Sequence, residues 1–517
     1  MLLALILFPL LILGDQWNSA QIVDLRDDPT RLALLVAAAV VAAAILAAVF
    51  HRRPTALPLA VVFALPFRIP LHAGGDTANL LVPLYLVIAG GVISAVVSGW
   101  RQGPGAPLRK PALGRPEGSL PGSAHKFPPG SPGALAPARG ALSEPARLLP
   151  WVLAGMVVLY ALQTLYSPDF SKSLQNVCFF FVPFSLVYAL LRDVEWDRKL
   201  LVLVLWVVAV EAVAFVVVGS VEYFSRELFW NDQVIRSNEF HTYFRVNSIF
   251  WDPNIYGRYL ALVMVVAMST LLWARERRTL GLLTALIAVL WLGLVPTFSQ
   301  SSFAALLAGL AVLAALRWSW RWTLAAVGAG AVLAVVIVLF AGGISKLSPD
   351  RFNVDTGGRA NLVSGGTDLF AQRPIWGYGS GSFPRAYREH IATKKAPVSV
   401  SHTEPVTVAA EQGLIGLVAY AALLVAALWT MSAGLTWGAG RGGPLGELVS
   451  TSGQEPVRPP LCGFAEGATP ARAAVLATFI ALLIHTMAYA GFYEDPITWV
   501  LLAVGASLAT IPVRTAT

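Results

Sequence analysis

Between residues 342 and 410 the chain gathers groups that can handle phosphate and protons. Arg359, Arg373, Arg385 and Arg388, with Lys394 and Lys395, run ahead of His402. A guanidinium presents a planar fork of donors that matches phosphate oxygens, as in a diphosphate head group. An imidazole of near-neutral pKa can take the proton of an attacking hydroxyl. Arg359 follows Gly358 and Arg373 precedes Pro374, and these turn-flanked arginines read as anion binders. For each of the other cations, a lipid-headgroup contact or a solvated charge is the plainer reading. A single loop histidine is more often structural than catalytic.

The run Gly377-Tyr378-Gly379-Ser380-Gly381 can turn backbone N–H groups toward an anion. It lacks the Lys-Ser/Thr ending of a nucleotide-binding loop, and a tight turn packed against a neighbour is the plainer reading. A second polar patch, 220–256, ends in HTYFRVNSIFWDPNIYGRYLAL and offers Arg245 and Asn254 beside a helix start. Pro253 suits the first turn of that helix, so Asp252 or Asn254 could serve only as a cap. No strict Asp-x-Asp pair stands in the basic segments to hold the metal of a nucleotide-sugar. Cys178 and Cys462 lie in unlike surroundings, an apolar run and a polar linker, so neither a disulfide nor a metal site is expected.

The elements that must position these groups are dictated by composition. The 517 residues are 56% hydrophobic and only 13% charged, with mean hydropathy +0.66. Soluble domains carry about 25% charged residues, so most of this chain belongs in a lipid bilayer. The net charge of +8 and pI ≈ 9.6 come from short clusters between apolar runs rather than from one basic stripe. That pattern excludes nucleic acid as a partner and suits loops on the inner face of a membrane.

A helix crosses the bilayer core with about 20 apolar residues. Apolar runs near 1–14, 31–50, 55–71, 77–99, 150–166, 173–191 and 199–219 meet or approach that length. So do runs near 257–273, 279–296, 302–316, 322–341, 411–432, 471–489 and 495–511. The expected fold is an all-α polytopic membrane protein of about 12–14 spans. The basic clusters at 51–53, 100–149, 192–199, 275–278, 317–321 and 433–470 then all fall on the cytoplasmic side. Both termini are expected inside, and the 220–256 and 342–410 loops outside. The chain divides into N-terminal helices (1–99), a Pro/Gly/Ala/Arg-rich linker (100–149) and central helices (150–341). The large outer loop (342–410), a helix (411–432), a second linker (433–470) and C-terminal helices (471–517) complete it. Both linkers read as disordered, because they bury too little to offset chain entropy. Within 342–410, a short helix is expected over 361–370 and a Gly-rich turn over 374–383.

In order and spacing, four stretches resemble the O-antigen ligase and polymerase superfamily of bacterial membrane glycosyltransferases, over roughly 245–416. They are Arg245 through Phe250 with Asp252-Pro253-Asn254; Thr297-Phe298-Ser299-Gln300-Ser301-Ser302; Gly358-Arg359 through Arg373-Pro374-Ile375-Trp376-Gly377-Tyr378-Gly379; and Ser401-His402 followed by Glu411-Gln412-Gly413-Leu414-Ile415-Gly416. Two positions depart from the family pattern: Thr403 replaces an asparagine, and Ser302 stands where many members have arginine. The resemblance implies metal- and cofactor-independent transfer of a glycan from a polyprenyl-diphosphate carrier to the hydroxyl of a glycan or lipid acceptor. It implies His402 as general base, Arg359 and Arg245 on the diphosphate with Arg373 assisting, and Asn254, Gly377, Gly379 and Glu411 as substrate-binding positions. Glu411 could orient His402 or simply favour a helix start. Glu494 and Asp495 are expected to face outward beside the site, Glu211 is a candidate by its intramembrane position, and His485 reads as a packed or hydrogen-bonded core histidine. The competing class is a transporter of lipid-linked sugars or small anions. A transporter should repeat its broken helices and midplane charges in two halves, whereas this sequence concentrates Arg and His in one loop and shows no repeat.

Overall fold

A computed structural model describes residues 28–73, 76–102, 144–229, 231–240, 243–342, 358–391, 400–433 and 465–509, with isolated residues elsewhere. Most of the 1–14 span and of both linkers, and Lys394 and Lys395, lie outside the described residues. Helices account for nearly all of the regular structure: α1 (Pro29–Arg52), α2 (Ala56–Ala64), α3 (Val82–Gln102), α4 (Glu144–Thr164), α5 (Phe170–Asn176), α6 (Val182–Leu191) and α7 (Arg198–Ser225). There follow α8 (Asp232–Phe240), α9 (Pro253–Trp273), α10 (Arg277–Leu294), α11 (Gln300–Arg317), α12 (Trp320–Gly342), α13 (Arg359–Gln372) and α14 (Phe383–His390). The last three are α15 (Glu404–Ser432), α16 (Ala465–Thr486) and α17 (Pro496–Ala509). Among the described residues, nine helical segments are long and apolar enough to cross a membrane, and α17 and the Pro470–Thr486 part of α16 are shorter apolar helices. The polytopic all-α expectation holds.

The structure departs from the expected spans at 55–71 and 77–99. Helix α2 has only 9 residues, about 14 Å at 1.5 Å per residue, under half of a bilayer core. Pro66 and Pro70 follow, removing amide donors and disfavouring helix in the residues before them. The chain instead forms an antiparallel hairpin, β1 (Ile69–Ala73) with β2 (Asp76–Leu80), in which Ile69 faces Leu80. His51 near the end of α1 bonds Ser98 near the end of α3, so these two helices run in the same direction. The broken segment 56–68 therefore still carries the chain back between them. Helix α4 begins at Glu144 and α16 at Ala465, inside the stretches expected as linkers.

Helix α9 is the axis of the fold. Asp252 caps it by accepting from Asn254 N (2.6 Å), and Pro253 occupies the first turn, where an amide donor is not needed. Two thirds of its apolar window is buried, enclosed by α7, α10, α11 and α16. In a bilayer the gain comes from close packing rather than from leaving water. Gly257 makes that possible on one face, because a Cβ there would lie 2.7 Å from Ser302 Oγ and 3.0 Å from Thr297 Oγ1.

Candidate active site

At one end of the bundle, three loops are held by three buried glutamates, each accepting backbone N–H groups. Glu222, at the end of α7, accepts from Asn247 N (3.1 Å) and Ser248 N (2.6 Å), fixing the segment that carries Arg245. Glu404, opening α15, accepts from Gly491 N (2.7 Å) and Phe492 N (3.1 Å). Glu411 accepts from Gly381 N (2.8 Å) and Phe383 N (3.0 Å). Glu411 was expected to orient His402 or bind substrate; its two oxygens are instead committed to the start of α14. A buried carboxyl group that accepts two backbone N–H bonds satisfies donors that irregular backbone would otherwise leave unpaired, which suits the pinning of loops near a site.

The Gly-rich run is likewise a docking turn. Tyr378 N donates to Ala410 O (3.1 Å), Gly379 N to Glu411 O (2.7 Å) and Leu414 N to Pro374 O (2.7 Å). These bonds form where α15 is broken at Gly413, whose φ of 65° and ψ of −161° are open to glycine alone. A Cβ at Gly413 would lie 2.3 Å from Ile375 O, and one at Gly377 2.3 Å from Glu411 O. The N–H groups of Gly377 and Gly379 are spent on protein carbonyls, so the phosphate-nest role is replaced by backbone docking. Arg373 is exposed and lies over the Tyr378 ring at 4.4 Å.

Arg245 is gripped from two sides. Its Nε donates to Thr297 O (2.9 Å) and its Nη2 to Asn254 Oδ1 (3.2 Å), while its backbone pairs with the Asn238 amide. Asn254 thus orients Arg245. Thr297 through Ser302 form the floor: Ser299 Oγ meets Ser302 Oγ at 2.8 Å, and Ser302 Oγ donates to Asn254 O at 3.3 Å. Ser302 is fully buried against Gly257, so an arginine has no room there, and the cation beside Asn254 comes from Arg245.

His402 sits at φ +63°, a left-handed conformation that costs a non-glycine residue of order 1–3 kcal/mol and clusters at functional sites. Its ring meets Tyr489 at 6.5 Å between centroids, edge to face, and Tyr489 meets His485 at 5.7 Å. Thr403 Oγ1 donates to Met487 O (3.1 Å), and Arg359 Nη1 reaches Ala488 O at 3.4 Å. Burial holds the His402 pKa below the ordinary imidazole value, and Arg359 lowers it further while Asp252 opposes. The imidazole is therefore neutral and able to accept a proton at neutral pH. Burial also lowers the Arg245 pKa, with Asp252 opposing and Arg359 adding to the effect, so Arg245, Arg359, Asp252 and His402 share one electrostatic field. Among the described residues neither Arg245 nor Arg359 forms a salt bridge, and no group of three or more His, Cys, Asp or Glu could hold a metal ion.

Asp495 does not face outward as expected. It pairs with Arg258 at 2.7 Å, both side chains being almost wholly buried, and with Arg68 it lines a cavity of about 10 Å³, room for one water. Glu211 accepts from Tyr259 OH (2.9 Å), and His485 shares a 3.2 Å hydrogen bond with Ser301 Oγ. Sequence reasoning passed over Glu222, Glu404, Arg258 and Tyr489. One signal was available: an arginine inside an apolar helix must find a carboxylate, and Asp495 is a nearby candidate in the same end of the molecule.

Residues 285–421, about a quarter of the chain, match the family described as O-antigen ligase. That segment contains Thr297, Ser302, Arg359, Arg373, Gly377, His402 and Glu411, and leaves Arg68, Arg245, Asn254, Arg258, Tyr489 and Asp495 outside it. A search of curated proteins finds no match to the chain.

Proposed function

We propose that this membrane protein, whose 285–421 segment is of the O-antigen ligase type, transfers a glycan from a polyprenyl-diphosphate carrier to an acceptor hydroxyl during surface-polysaccharide assembly. The observation that carries the reading is His402: a half-buried imidazole in a strained backbone, in the field of Arg359, which forms no salt bridge among the described residues. In the reaction, His402 takes the proton of the acceptor hydroxyl as that oxygen bonds to the anomeric carbon. The bond from this carbon to the diphosphate oxygen breaks, and the electron pair leaves with the carrier. Arg359 and Arg245 bind the diphosphate and stabilise the charge that grows on it, a task suited to fixed cations in a water-poor site. His402 then returns its proton to water or to the departing diphosphate.

The apolar rim suits a lipid-borne donor. Ile375 and Trp376 stand 55% and 62% exposed at the tip of the docked turn, and Tyr166 OH holds the Trp376 carbonyl at 2.7 Å. An aromatic ring at such a place favours the bilayer interface, where an isoprenoid would slide in laterally. The chain is assigned to the bacterial cytoplasmic membrane with the site on its outer face and both termini inside. Arg373, exposed on Tyr378, is an approach residue for the diphosphate rather than a member of the His402 cluster.

The test replaces His402 and Arg359 by alanine, one at a time, in the native host, with membrane levels matched to wild type. Short lipid-linked units should accumulate and long surface glycan should vanish in both strains. Unchanged glycan, or units that never reach the outer face, would sink the transferase reading and favour a transporter.

A further inference from the structure

We infer that Tyr489, in the turn after α16 and outside the family-matched segment, is the positioning residue that aims His402. The inference rests on the transferase reading and names a part of the same site contributed by the C-terminal helices. The 487–492 turn makes contact with the catalytic loop at every step. Met487 O accepts from Thr403 Oγ1, Ala488 O from Arg359 Nη1, and Gly491 N and Phe492 N donate to Glu404. The Tyr489 ring projects from the middle of this turn, and its two ring neighbours are His402 at 6.5 Å and His485 at 5.7 Å.

A row of side chains therefore runs from the core to the general base. Ser301, on α11, bonds His485; His485 is fully buried on α16; Tyr489 rests on it; and His402 stands edge to face against Tyr489. Ring pairs at these separations and tilts are favourable and directional. The direction matters because His402 has little else to orient it. Its backbone is in the left-handed region, and Glu411, on α15, is committed to Gly381 and Phe383. Tyr489 is aimed from rigid helix ends and gives His402 one wall against which only some rotations of the imidazole fit. It also keeps water from that face of the ring. Because Met487, Ala488, Gly491 and Phe492 grip Thr403, Arg359 and Glu404, the base and one diphosphate cation are set by a single turn.

The other groups that face His402 are Arg359 from α13 and Asp252 from the turn before α9; Glu404, on its own element, is turned to Gly491 and Phe492. Loss of the Tyr489 ring admits water and weakens the desolvation that keeps the imidazole neutral. His402 acts as a base only when neutral, so its acid limb would then move to higher pH.

The experiment uses the full chain in membranes, with lipid-linked glycan from a transferase-deficient strain as donor, and compares Tyr489→Phe, Tyr489→Leu and Tyr489→Ala. The phenylalanine keeps the ring and should hold kcat within about threefold of wild type. Leucine and alanine should lower kcat about 10–100-fold through misaimed geometry, with KM for the donor nearly unchanged. In the alanine variant the acid limb of the rate profile should rise in pH. A residue that only supports the fold would lower activity evenly at all pH values, in step with the amount of folded protein, and would leave the acid limb where it is. Leucine or alanine variants that turn over like wild type, or a phenylalanine variant as slow as alanine, overturn the inference. Wild-type membranes that transfer nothing would overturn the transferase reading itself, a separate outcome.

Discussion

Removing Asp495 should strand the buried guanidinium of Arg258, and the cost can be worked from the geometry. Arg258 and Asp495 are 2.7 Å apart with side chains 3% and 2% exposed, and Arg68 lines the same small cavity. Breaking such a pair from one side costs about 3–5 kcal/mol, because the partner remains buried and charged. At about 1 °C per kcal/mol for a chain of this length, Asp495→Ala should lower the melting midpoint of the detergent-solubilised chain by about 3–5 °C. Arg258→Met should cost a similar amount, since it leaves Asp495 with Arg68 as its one cationic neighbour in the cavity. The double variant Arg258→Met/Asp495→Leu removes both charges and should lose less than the sum of the singles, by about 1–3 kcal/mol of coupling. Arg385→Ala, which breaks the exposed pair with Glu389 at 2.9 Å, is the control and should leave the midpoint unchanged. Single variants that each cost under about 1 kcal/mol, or a strictly additive double, would refute the reasoning.

Arg359→Gln should slow transfer and also displace the pH profile. Arg359 helps hold His402 below its ordinary pKa, so without it the imidazole protonates at higher pH and the acid limb of the rate profile moves upward; a rate loss with an unmoved limb would separate Arg359 from His402. Gly413→Ala should destabilise the docked turn by about 1–3 kcal/mol from backbone strain alone, with the 2.3 Å approach to Ile375 O adding to it, seen as early proteolysis of the 374–383 segment. Asn254→Ala removes a charge-assisted bond to Arg245 and should lower kcat/KM about tenfold or more, with membrane level unchanged.

Much of the architecture was legible because hydropathy and helix capping are local properties. The span expected over 257–273 is α9, and its start at Pro253 follows from Asp252 and Pro253 alone. The turn at 374–383 and the helix expected over 361–370, observed as Arg359–Gln372, were readable from Gly, Pro and apolar spacing. The span near 55–71 misled because its apolar run continues past Pro66 and Pro70, where backbone chemistry ends the helix and a hairpin replaces it. Composition counted these residues as lipid-soluble without asking whether their amides could be satisfied in a helix.

The site divides along the same line. From the chain alone, the turn beside Arg359 marked it as an anion binder, while the proposed roles of Arg245 and His402 came from the resemblance to a family rather than from residue type. Their mutual placement depends on Glu222 reaching Asn247 and Ser248, Glu404 reaching Gly491 and Phe492, and Arg258 reaching Asp495. The same carboxylate can cap, pair or pin, and nothing in its immediate sequence says which. For Glu411, two amides at the start of α14 decided the matter, and for Asp495 a guanidinium on α9 did. Sequence determines which groups must find partners once buried in an apolar bundle; only the packing of α9, α15 and α16 determines which partners lie within 3 Å, because those neighbours come from stretches tens to hundreds of residues away.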